Sequence, residues 1–126
     1  AMPMSVHYRS SLIGAFAQVA AFSKGEPWLD SAISTIQSNA HFLASQIQSL
    51  VPAIKYRIPE FSYLAWLDCS ELKLGEDPAK VFLEKGKVAF NSGIMYSPHA
   101  GQFVRLNFAT SELVLTEAIN RILKSI

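Results

Sequence analysis

An α+β fold, with a small and mostly antiparallel sheet covered by helices on one face, is predicted by three features of this sequence. Tyr63-Leu64-Ala65-Trp66-Leu67-Asp68 and Phe103-Val104-Arg105-Leu106-Asn107-Phe108-Ala109-Thr110 are rich in strand-forming residues, and the second of them alternates. The segments Leu29 to Leu50 and Leu113 to Leu123 instead repeat their apolar residues every three or four positions, the period of a helix with one buried face. Taken in order the elements read ααββαββα, without the regular alternation that a parallel sheet requires.

Each element follows from local chemistry. Ser10 or Ser11 can cap a helix reaching Lys24, with Leu12, Ile13, Phe16, Val19, Ala20 and Phe22 as its apolar set and Gly25 as its stop. That much apolar surface on a short helix predicts that it is covered on more than one side. Glu26-Pro27 opens a second, long helix, since proline suits a first helical turn, and Pro52 follows its end near Leu50. Ile54 to Ile58 is expected as a short strand closed by Pro59, and Tyr63 to Asp68 as a stronger one. Asp77-Pro78 starts a helix over Ala79 to about Lys85. Val88 to Phe90 is expected as a short strand, and Asn91 to Gln102 as a loop long enough to carry function. Thr110 or Ser111 then caps the last helix.

Composition removes several classes of function. With 126 residues the chain can bury one ordinary core. Half of it is apolar and only 17% charged, so the surplus belongs to that core or to a surface covered by another domain or subunit. No apolar run nears the ~20 residues of a membrane span, and no signal peptide opens the chain. Lys plus Arg number 11 against 10 for Asp plus Glu, without a basic stripe, so neither nucleic acid nor membrane is an expected partner. Cys69 stands alone, which rules out an intrachain disulfide and suits a cytoplasmic location. His7, His41 and His99 lack metal-ligand spacing, so no metal site is expected. Ala1-Met2-Pro3-Met4 is set aside as a boundary sequence.

Arg105 carries the most information. A guanidinium does not lose its proton, and leaving it unpaired in a dry place costs several kcal/mol. An acid must meet it, either a protein carboxylate such as Asp68 on a neighbouring strand or the carboxylate of a ligand. Asn107 is a candidate to steady that geometry, and Tyr96 and His99 are candidates to line an entrance. Cys69 has no histidine paired with it in a nucleophile motif and is expected to be packed. Tyr63 and Trp66 are expected as core or interface aromatics, and His41 as a helix-surface or packing residue.

The two strand motifs, Pro59-Glu60-Phe61-Ser62-Tyr63-Leu64-Ala65-Trp66-Leu67-Asp68 and Phe103 to Thr110, together with Gly25-Glu26-Pro27-Trp28-Leu29-Asp30, carry a resemblance. The chain resembles the C-terminal small domain of fold-type I pyridoxal-phosphate enzymes, and within them the carbon–sulfur lyases of the cystathionine β-lyase (MalY/PatB) type. The resemblance implies a leading helical remnant of the large domain over residues 1–25 and the small domain over 26–126. It implies that Arg105 forks onto the α-carboxylate of an amino-acid substrate, a planar match that lysine would not supply.

In that family the cofactor-bound lysine, the aspartate on the pyridine nitrogen and the stacking aromatic belong to the large domain. Lys24, Lys55, Lys73, Lys80, Lys85, Lys87 and Lys124 do not stand in the family's lysine context. The resemblance therefore implies a piece that holds substrate and closes the site, with no catalytic or cofactor-binding residue and no activity alone. Its expected partners are pyridoxal phosphate in the intact enzyme, the missing N-terminal large domain and a second copy in a homodimer, the isolated chain itself pairing through its first helix. An aminotransferase of the same fold, or a non-catalytic binding or regulatory module, remain alternatives. Phe61-Ser62 replaces the family's usual Gly-Thr, and Met95-Tyr96-Ser97-Pro98-His99 fills a loop usually richer in glycine.

Overall fold

The computed structural model describes residues 11–126, so His7 and the opening tetrapeptide lie outside the described residues. The chain divides into two units, Ala1–Ser34 and Thr35–Ile126, with the boundary falling inside one helix. In the first unit helix α1 (Leu12–Lys24) starts at Ser11, whose hydroxyl accepts from the Gly14 N–H at 3.2 Å. None of its residues is buried, and Leu12, Ile13, Phe16, Val19 and Phe22 are all at least two-thirds exposed. Gly25 follows it, and helix α2 (Glu26–Leu50) then begins.

In the second unit the remainder of α2 buries Ala40, Leu43 and Ile47. Four strands follow the order β1 (Lys55–Tyr56), β2 (Leu64–Asp68), β4 (Phe103–Asn107), β3 (Asn91–Ser92), every pair antiparallel. Because side chains alternate across a strand, Ala65 and Leu67 of β2 and Val104 and Leu106 of β4 turn to one face and are buried there. They meet Leu43 and Ile47 of α2, Phe82, and Leu115, Ile119 and Ile122 of helix α4 (Glu112–Leu123). Each fully buried side chain of this size contributes about 1.5–3 kcal/mol. Within this unit the helices thus cover one face of the sheet, as expected, and the other face carries Trp66, Phe103 and Arg105.

Several elements differ from expectation. The Ile54–Ile58 strand shrinks to Lys55–Tyr56, since the Ile54 N–H is taken by the Val51 carbonyl in a turn. The third helix is α-helical only over α3 (Pro78–Val81), capped by the Asp77 carboxylate. It then widens into a π-turn over Phe82–Gly86, which ends at Lys87 in the left-handed region. An added Cβ on Gly86 would lie 2.5 Å from the Arg121 carbonyl oxygen, so a bare glycine lets this turn press against α4. Val88–Phe90 is not a strand. Its backbone is held on the helical side, by Val88 N–H donating to Phe82 and by Arg121 donating to the Lys87 carbonyl at 2.8 Å, while Phe90 packs edge-on against Phe82. Pairing begins only at Asn91, inside the segment expected as loop.

One polar residue ties α2 to the sheet. Asn39 is 6% exposed, and its amide N–H groups donate to the carbonyls of Phe108 at 2.9 Å and Thr110 at 2.7 Å, where the chain leaves β4. Beside that exit Asn107 accepts from the Ala109 N–H at 2.9 Å, an Asx turn that bends the chain toward the Ser111 cap of α4. Among the described residues no helix is long and apolar enough to cross a membrane.

Candidate functional site

Arg105 stands on β4 with Trp66 opposite it on β2 and Asn91 opposite it on β3. It is half-buried, and its Nη2 donates to the Asn91 Oδ1 at 3.0 Å. Its Cζ lies 5.0 Å from the centroid of the Tyr96 ring. Tyr96 meets Trp66 edge-on at 5.6 Å, and Trp66 stacks on Phe103 at 5.6 Å with the planes 13° apart. Three aromatic rings thus pack in series on this face of the sheet, and the first of them, Tyr96, rests against the guanidinium.

No carboxylate meets Arg105 among the described residues. The ion pairs there are Lys55–Glu71, Arg57–Glu60 and Arg121–Glu117. Asp68 accepts from the Ser70 N–H at 2.9 Å, and hydrogen bonding to Ser70, helped by the charge of Lys55, holds its carboxyl below the usual acidity range. The Asn91 amide aligns the guanidinium without cancelling its charge, and one bond uses one of five N–H donors. A ring face adds about 0.5–1 kcal/mol of attraction at an exposed site, again without neutralising the charge. What remains is a pre-oriented cation suited to an anion of planar, two-oxygen shape.

The segment between β3 and β4 is tightly turned. The Gly93 carbonyl accepts from the N–H groups of Tyr96 at 2.9 Å and Ser97 at 3.1 Å, and the Ala100 carbonyl accepts from Phe103 at 3.0 Å. An added Cβ on Gly93 would overlap the Ala100 carbonyl oxygen and fall 2.8 Å from that of Phe103. Gly93→Ala therefore forces two backbone segments apart, and is expected to cost about 1–3 kcal/mol of stability, read as a lowered denaturant midpoint. An unchanged midpoint would show that the turn yields.

Beside β4, where the two-residue β3 leaves its edge uncovered, a cleft of 370 Å3 is lined by Arg105, Asn91, Asn107 and Thr110 and by apolar Val88, Phe90, Val114 and Ala118. It contains no lysine, and every lysine of the chain is exposed. The residues present therefore do not fit covalent attachment of pyridoxal phosphate. Of the two residues expected to line an entrance, Tyr96 lies with its ring beside Arg105, and His99 is exposed on the loop with its backbone N–H on Ser97 Oγ. His41 is exposed on α2. Trp66 and Tyr63 are 40% and 47% exposed and so stand outside the core. Asn91 was not anticipated, because nothing in its local sequence reveals which strand β4 will pair with.

Cys69 is fully buried, and burial with Asp68 nearby pushes its thiol up to about 12 from an ordinary 9.0. The unfolded chain releases this proton near pH 9, while the folded chain keeps it to about pH 12. The folded state thus binds more protons across that window, and stability must fall as pH rises through it. Two results are expected: alkaline destabilisation that Cys69→Ala reduces, and no reaction with a thiol reagent until the chain unfolds. Rapid labelling at neutral pH would contradict the second. Among the described residues no cluster of His, Cys, Asp and Glu could hold a metal ion.

This arrangement, an antiparallel sheet with helices on one face, is the aminotransferase-like small-domain fold of pyridoxal-phosphate enzymes. A carbon–sulfur lyase from Staphylococcus hominis, solved with pyridoxal phosphate bound, superposes with a TM-score of 0.85 at 27% identity, over 96% of this chain and 33% of that one. Among sequences, a cystathionine β-lyase of Corynebacterium glutamicum is 35% identical over 89% of this chain and 30% of its own length. The cystathionine β-lyase PatB of Bacillus subtilis is 38% identical over 82% of this chain and 27% of its own. The chain belongs to this cystathionine β-lyase group, and it spans about a third of the length of the curated relatives it matches. No family model matches it.

Proposed function

We propose that this chain is the substrate-holding part of a pyridoxal-phosphate-dependent carbon–sulfur lyase, and that Arg105 grips the α-carboxylate of a sulfur-containing amino acid such as cystathionine. The observation that carries the reading is a half-buried guanidinium aligned by a neutral amide and a ring, with no carboxylate of the described chain beside it. The kinship with enzymes named for this activity supports the same reading.

In that role Arg105 fixes the orientation of the Cα–H bond relative to the reacting group, where effective alignment lowers a barrier without making a new bond. The cofactor's chemistry lies with residues other than these. The net reaction is an α,β-elimination: a thioether amino acid and water yield a thiol, a 2-oxo acid and ammonium. The exposed apolar row of α1 supports a further domain or a second copy as its cover, and a cytoplasmic setting belongs to the same proposal.

A cofactor-loaded protein carrying this chain is expected to release thiol, 2-oxo acid and ammonium in equal amounts from such a substrate. The 126-residue chain alone is expected to release none. Turnover that requires an added 2-oxo acid acceptor and frees no ammonium would make it an aminotransferase, and no turnover of either kind would leave a binding module.

A further inference from the structure

We infer that Asn91 and Tyr96 are positioning residues that set the rotation and plane of the Arg105 guanidinium, and so the fit of the substrate carboxylate. The inference rests on the reading of Arg105 as a carboxylate clamp. Arginine's long side chain rotates about several bonds, and its strength as a clamp depends on presenting two N–H groups in one plane. A flexible fork would lose side-chain entropy each time it bound. Here the entropy is lost on folding, because Asn91 Oδ1 holds Nη2 at 3.0 Å and the Tyr96 ring lies against the guanidinium with Cζ 5.0 Å from its centroid.

Both contacts come from one short stretch of chain. Asn91 is fixed by its pairing with β4, and Tyr96 by its N–H on the Gly93 carbonyl and by its near-perpendicular packing with Trp66. The amide is the right partner chemically. It accepts a hydrogen bond yet brings no negative charge, so the cation stays available to a ligand. An aspartate there would satisfy the arginine outright.

The test is a pair of double-mutant cycles in the cofactor-loaded protein, with KM for the amino acid as readout. Asn91→Ala and Tyr96→Leu are each expected to raise KM roughly three- to tenfold while kcat changes less, the scale of one lost hydrogen bond or ring contact. Tyr96→Phe, which keeps the ring, should stay within roughly twofold. Asn91→Asp should raise KM more than Asn91→Ala does, by occupying the fork. In an Arg105→Ala background neither Asn91→Ala nor Tyr96→Leu should raise KM further, because both act through the guanidinium.

Additive effects in that background would overturn the inference while leaving the clamp intact. An Arg105→Ala change without effect on KM would overturn the clamp itself. A readout independent of activity comes from the full 126-residue chain labelled on arginine. The Arg105 Nε–H resonance should carry a ring-current displacement that Tyr96→Leu abolishes and Tyr96→Phe keeps, and its absence in the unsubstituted chain would overturn the role of the ring. Should Tyr96→Leu fail to fold, the Asn91→Ala cycle decides on the same criterion.

Discussion

Replacing Arg105 by alanine is expected to lower kcat/KM of the cofactor-loaded protein by about 2–4 kcal/mol, roughly 30- to 1000-fold, mostly through KM. The same change should move the stability of the 126-residue chain by less than about 1 kcal/mol. The contrast follows from what surrounds the side chain. Truncating one member of a buried ion pair destabilises a fold because it abandons the other charge. No carboxylate faces Arg105 among the described residues, so nothing is abandoned except one acceptor on Asn91, which is half-buried and open to water. A structural arginine would give the opposite pattern, with lost stability and retained kinetics. Arg105→Lys should recover only part of the loss, since an ammonium supplies charge without the planar fork. Unchanged KM in the alanine variant would remove the clamp assignment.

What the sequence revealed of this site, and what it hid, divides along a physical line. Local pattern was enough for α1 and α2 and for the alternation of β4, because each depends on periodicity and capping within a short window. It was also enough to single out Arg105, since a cation in an apolar strand must have a partner. The identity of that partner was not legible. Asp68 was a plausible acid across the sheet, but its carboxylate folds back onto Ser70, a local bond that outcompetes a longer reach.

Val88–Phe90 has the apolar pattern of a strand, yet Arg121 on a helix 34 residues away captures the carbonyl of Lys87 beside it. The sheet therefore gains Asn91 and Ser92 in its place, and that shift is what brings the Asn91 amide to the guanidinium. Long-range capture of this kind leaves no trace in a local window. Ser62 takes a φ of +78°, a conformation that favours glycine, just before the strand whose Trp66 stands opposite Arg105.

Asn39→Ala is expected to destabilise the 126-residue chain by about 2–4 kcal/mol, measured by denaturant unfolding. The side chain is 6% exposed and gives both of its amide hydrogens to main-chain carbonyls, those of Phe108 and Thr110. Carbonyl oxygens only accept, so the amide nitrogen must be the end that faces them. Alanine would leave two acceptors without their donor at the exit of the strand that carries Arg105, and a missing partner in a buried place costs more than a hydrogen bond gains. Asn39→Asp keeps the shape and reverses the chemistry, because an ionised carboxylate would confront two carbonyls with a third acceptor and a buried charge. It should be at least as damaging as alanine at neutral pH. Its carboxyl pKa would rise on folding, so folding would take up a proton, and part of the lost stability should return as pH falls through that raised value. If both variants stay within about 0.5 kcal/mol of the unsubstituted chain, the effect expected of an ordinary surface change, Asn39 does not tie α2 to the sheet.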